Sequence, residues 1–153
     1  GKRDVERSPG SPRLGRPPRV GPNLIMSKPQ LLDTDVLIDY LRGSDPAVRY
    51  FAEAQERLLI SAVSVAELYA GVKGEAEETQ LADFIASFEI AEIDFPTARQ
   101  GGLFRNQYFR SHGVGLADAL IAASAIRCAA CLITLYQKHF PMLSDVEVPY
   151  RKE

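Results

Sequence analysis

At 153 residues, with 46% apolar and 25% charged side chains, the chain is sized for one compact domain with a real core. No apolar run approaches the ~20 residues of a bilayer span, and the N-terminus lacks the apolar stretch of a secretion signal, so a soluble, cytoplasmic protein is expected. Residues 1–25 hold six Lys/Arg against Asp4 and Glu6, while the rest hold twelve against eighteen acids; such an acidic body argues against nonspecific nucleic-acid binding but allows acids gathered around a cation.

Residues 1–25, ending in "GRPPRVGPNLI", are rich in Pro, Gly, Ser and Arg without hydrophobic periodicity, which predicts a disordered basic tail. Met26 looks like an ordinary protein start. The tail therefore reads as an extension added by a vector or an over-long gene prediction, with a basic RNA-binding arm as the rival reading. "QLLDTD" is a short apolar strand ending at Asp33, and "VLIDYLRG" is a helix stopped by Gly43. Asp45-Pro46 serves as N-cap and first turn of a second helix through Arg57. "RLLIS" is the next strand. Ser64 to Lys73 is helical and closed by Gly74, and Leu81, Phe84, Ile85 and Phe88 repeat at helical spacing after Glu75.

"EIAEID" is a further strand, Pro96 starts a helix reaching about Arg110, and "SHGVG" is a glycine loop. Leu116 to Ala129 is a helix of small and apolar residues, expected to be buried. "CLIT" is a strand and "VEVP" a last edge strand. Short apolar strands alternating with helices predict an α/β fold, a mostly parallel sheet covered on both faces. Ligands of such sheets bind beyond the carboxyl ends of the strands.

Three acids fall at or near such positions. Asp33 ends the first strand; it, or Asp35, could instead cap the following helix, and capping suits Asp35 better. Ser64-x-x-Glu67 matches a capping box, so on local grounds Glu67 is equally a capping residue or a site residue. Asp118 is an ionised group in the first turn of an apolar helix, costly unless it meets the helix dipole or a cation. Three carboxylates on separate elements suit a hard, oxygen-seeking cation such as Mg²⁺ or Mn²⁺ and, with it, phosphodiester chemistry. Cys128 and Cys131 have redox-pair spacing, but at a helix end rather than a helix start. With only His112 and His139 as further soft ligands at unmatched spacing, two buried reduced thiols are expected.

The segments "LLDTDVLIDYLRG", "SAVSVAELYAGV", "GLADALIAASAI" and "LIT…KHF", running from about Gln30 to Phe140, resemble the PIN-domain family, specifically VapC-type toxins of bacterial toxin–antitoxin pairs. The resemblance implies a three-layer PIN-like fold over residues 26–153 and a metal-dependent endoribonuclease. Its near-invariant acids map onto Asp33, Glu67 and Asp118, as both catalytic and metal-binding residues. It further implies a homodimer, a small VapB-type antitoxin, and structured RNA such as tRNA or rRNA as substrate.

In one place the chain departs from the pattern. The family usually places Asp or Asn two residues after the Thr of "LIT"; here Thr134 is followed by Leu135 and then Tyr136, a bulky phenol and a poor ligand when neutral. Thr134 and Tyr136 are therefore read as supporting positions, with Tyr136 weakening the site, and His139 as a packed structural residue. Two rival readings follow. Asp33-Thr34-Asp35 is also the D-x-D of haloacid-dehalogenase-like phosphatases, although Lys138 lacks the setting their lysine needs and "GLADAL" holds one acid rather than two. A PIN fold that binds RNA or antitoxin without cutting is the other, resting on Tyr136.

Overall fold

Leu31-Leu32, Leu58–Ile60 and Leu132-Ile133 are all buried, as strands covered on both faces must be. The computed structural model describes residues 28–151, so the predicted tail over residues 1–25 lies outside the described residues. Five strands, β1 (Gln30–Leu32), β2 (Leu58–Ser61), β3 (Glu89–Ala91), β4 (Cys131–Ile133) and β5 (Val146–Glu147), form one sheet in the order β3-β2-β1-β4-β5. Every pairing is parallel, with Leu31 opposite Leu59 on one side and Leu132 on the other. Among the described residues six α-helices accompany them: α1 (Thr34–Leu41), α2 (Asp45–Glu53), α3 (Ala62–Ala70), α4 (Glu75–Ile85), α5 (Phe95–His112) and α6 (Leu116–Arg127). The predicted α/β architecture is present.

The strands send alternate side chains to two cores, as their period of two requires. Leu32, Leu58, Ile60 and Ile133 join Val36, Tyr40, Phe51 and Leu81 on the α1–α4 side. Tyr40 stacks on Phe51 and Phe84 at 4.7 and 5.5 Å between ring centroids. Leu31, Leu59 and Leu132 face Ile121, Ala122 and Ala125 of α6. The small residues bring α6 close to α5: a Cβ on Gly101 would lie 2.5 Å from Leu120 Cδ2 and 3.1 Å from Leu120 Cα. Any side chain at Gly101 would push the two helices apart.

The chain builds outward from β1 through β2 to β3, then returns to the other side of β1 for β4. The C-terminal ends of β1 and β4 therefore flank a switch point, the place where open α/β sheets bind ligands. The Asp33 N–H donates to Ile133 O at 2.8 Å and ties the two strand ends together there.

Several boundaries differ from the sequence reading. α3 starts at Ala62, because Ser61 caps it by accepting from Val63 N, and it ends at Gly71. Gly74, at φ +91°, precedes α4 and does not close α3. α2 has Ser44 rather than Asp45 at its N-cap position, without a side-chain capping bond, and stops at Glu53, where Ala54 turns extended. α6 ends at Arg127, and Ala129 takes a left-handed conformation (φ 52°) while Ala130 N donates to Ala125 O. Cys128 caps that helix half-buried and Cys131 is buried in β4; both are free, and burial pushes the Cys131 thiol up to about 12. Among the described residues no helix is long and apolar enough to cross a membrane.

Candidate active site

Asp33 follows β1 directly and is the N-cap of α1. Its Oδ1 accepts from Thr34 N at 2.8 Å and its Oδ2 from Thr134 Oγ1 at 2.7 Å, so the residue after β4 fixes the residue after β1. Asp35, in the first turn of α1, does not cap. Its Oδ2 accepts from Leu135 N at 3.2 Å, and its buried Oδ1 has no hydrogen-bond partner. The capping role assigned to Asp35 thus belongs to Asp33, because the helix starts immediately at Thr34 and carries Asp35 inward towards the β4 loop.

Glu67 does not form the predicted capping box. Ser64 lies inside α3, and Glu67 Oε1 accepts from Thr34 Oγ1 at 2.6 Å across the crevice. The Thr34 hydroxyl also lies 2.7 Å from Ser64 Oγ. Asp118 enters from the first turn of α6, whose N-cap Gly115 has no side chain to offer. Its Oδ2 lies 3.7 Å from Nδ1 of His139. His139 is therefore not a packed structural residue: its side chain is 55% exposed and faces the site.

The carboxylates act on one another. Burial, and next the charge of Asp35, push Asp33 up to about 7, against the pull of Thr134 and the Thr34 amide; Asp118 adds to the rise. Burial also raises Asp35, with Asp39 and Asp118 contributing. Asp118 is raised mainly by burial and further by Glu67, while His139 opposes the rise. Asp33, Asp35, Glu67 and Asp118 thus face one crevice, where burial disfavours the charged forms of the three aspartates. Among the described residues no three acids, histidines or cysteines are gathered tightly enough to hold an ion as they stand. Like charges that repel do not draw together without a cation between them. The oxygen-only donor set and the unpartnered Asp35 Oδ1 fit a hard divalent cation in kind and in charge.

Tyr136 occupies the position where an acid or amide was expected. Its N–H donates to Thr134 Oγ1 at 3.1 Å, while its ring is 47% exposed and stacks on His139. Beside Glu67, a groove of ≈ 420 Å³ runs between α1, α3 and α4, walled by Ile38, Leu41, Leu68 and Leu81 together with the polar Arg42, Glu77 and Gln80. Sequence reasoning missed Thr34 and underrated Asp35 and His139. Their contacts span about twenty to a hundred residues of chain and leave no local signal except that Thr34 sits between two acids.

Known proteins resemble this chain in sequence and in fold. The PIN domain family matches residues 31–140. Ribonuclease VapC10 of Mycobacterium tuberculosis is 39% identical over 123 residues, covering 78% of this chain and 92% of that protein. Ribonuclease VapC19 of the same organism is 37% identical over 125 residues, covering 79% and 99%. A toxin–antitoxin complex from Klebsiella pneumoniae superposes with a TM-score of 0.70 at 27% identity, over 80% of this chain and 99% of that one. The chain belongs to the PIN-domain family, in its VapC branch.

Proposed function

We propose that this protein is a cytoplasmic, Mg²⁺- or Mn²⁺-dependent endoribonuclease, the toxin of a VapBC-type pair. The observation that carries the reading is the convergence of Asp33 and Asp35, just after β1, with Glu67 of α3 and Asp118 of α6, where burial disfavours the charged forms of the three aspartates. Asp33, Glu67 and Asp118 would hold the ion. When bound, it supplies an activated water and positive charge for the phosphodiester. Thr134 holds Asp33 Oδ2 in place and Thr34 holds Glu67 Oε1, so two of the three ligands are positioned by hydroxyl donors. The groove beside Glu67, with apolar walls and Arg42, Glu77 and Gln80 along it, offers a surface that a segment of a small antitoxin could cover. Exposed Phe95 and Leu103 on α5 are apolar surface for the homodimer that family membership implies.

The test is cleavage of tRNA and rRNA by purified, antitoxin-free protein in Mn²⁺ against EDTA. Metal-dependent cuts at internal positions are expected. Binding of RNA without cleavage in either condition would replace this reading with the non-cutting PIN fold, for which Tyr136 is the supporting feature.

A further inference from the structure

An acidic crevice must attract a polyanion, and the four carboxylates work against phosphate approach. Affinity for RNA then has to come in part from contacts indifferent to charge. Stacking of an unpaired base on an exposed aromatic ring is such a contact. One aromatic pair stands at the rim of the site. The rings of Tyr136 and His139 lie 5.5 Å apart and 22° from parallel, stacked on each other. Tyr136 is 47% exposed and the His139 side chain 55% exposed, so the stack ends in solvent.

The pair is also held in place. The N–H of Tyr136 donates to Thr134 Oγ1, the same hydroxyl that fixes Asp33, and His139 N donates to Tyr136 O at 2.9 Å, closing the 3-10 turn Gln137–His139. His139 Nδ1 lies 3.7 Å from Asp118 Oδ2, which sets the stack against the carboxylates. Lys138, exposed in the same turn, can meet an adjoining phosphate.

We propose that the Tyr136–His139 stack is a platform for one unpaired base of the RNA substrate, seating the nucleotide beside the carboxylate crevice. The inference rests on the endoribonuclease reading and deepens it by naming a binding determinant for single-stranded RNA. The residue that replaces the usual acid or amide is thereby a substrate contact.

The experiment uses the full chain with Mn²⁺ and a short, mixed-sequence single-stranded RNA. Tyr136→Ala should raise KM about 10-fold, the scale of one lost base–aromatic stack, with a smaller change in kcat. Tyr136→Leu, which keeps bulk but not the ring, should behave like the Ala variant, and Tyr136→Trp should restore KM. The chain contains no tryptophan, so Y136W also carries the sole indole; its fluorescence should quench when RNA binds. The slope of affinity against salt should stay unchanged, because no phosphate contact is removed. Cleaving protein whose KM is the same in wild type and Tyr136→Ala, with no quenching in Y136W, overturns the platform alone. Wild-type protein that neither binds nor cuts RNA overturns the platform and the endoribonuclease reading together.

Discussion

Asp33 and Asp35, two residues apart at the start of α1, are held by the Thr134 hydroxyl and by the Thr34 and Leu135 amides, whereas Glu67 and Asp118 reach the crevice from its open side through Thr34 and His139. Asp33 is 7% exposed; the Asp118 side chain is 34% exposed. The deep half is prepared by the strand ends, whose own backbone bonds anchor its donors. The outer half sits on α3 and α6 and is more open to solvent.

The largest expected effect tests the outer half. Asp118→Asn should abolish cleavage, a loss beyond the ~10–100-fold typical of removing a supporting partner, and leave the fold intact. Because burial and Glu67 both raise Asp118, the variant should melt no lower than wild type. RNA cleavage at the wild-type rate by the Asn variant would take Asp118 out of the site.

Thr134→Val probes the deep half. The fully buried hydroxyl is lost while Asp33 Oδ2 stays in place, so activity should fall ~10–100-fold and stability by about 1–3 kcal/mol. Thr134→Ser should recover most of both. Steady-state rates and thermal melts of the two variants decide it: an active Val variant would mean that the deep half is not preorganised by β4.

A smaller effect follows from Asp33 itself. Its folded-state pKa of about 7 lies above the unfolded value near ~4, so the folded protein binds the extra proton. Stability is then greatest below the unfolded pKa and falls as pH rises from about 4 to about 7. In EDTA, melting should be higher at the acid end of that window by ~1–2 kcal/mol, once the coupling to Asp35 is discounted. Mn²⁺ should offset the loss near neutrality, and Asp33→Asn should flatten the profile. A wild-type melt that rises towards neutral pH in EDTA would contradict the raised pKa.

The smallest effect concerns position 136. Tyr136→Asn supplies the amide that the family pattern places there, so the metal concentration for half-maximal cleavage should drop by less than about 10-fold. Loss of the stack should raise KM for RNA in the same variant. Metal titrations and RNA titrations on both proteins separate the two; identical metal dependence would show that position 136 has no part in ion binding.

The sequence by itself determined the parallel sheet, since runs such as Leu58–Ile60 and Leu132-Ile133 have no polar face to show to solvent. It also pointed to Asp33 and Asp118, because acids at a strand end and at the start of an apolar helix are expensive without a purpose, whereas only the family resemblance raised Glu67 above a capping role. It misjudged where α3 begins. Ser61 and Ser64 are both good caps by composition, and the choice fell to Ser61 because the helix leaves β2 without a loop. Roles carried by contacts distant in sequence were decided by tertiary structure alone. Glu67 reads as a capping residue until Thr34, thirty-three positions earlier, is found donating to it. Asp35 reads as a cap until Leu135, a hundred positions later, takes its oxygen. His139 reads as packed until the turn after β4 sets it against Asp118. Capping preferences depend on neighbours within a turn of helix, whereas these contacts join residues that only the assembled sheet and helices bring together, which no local pattern encodes.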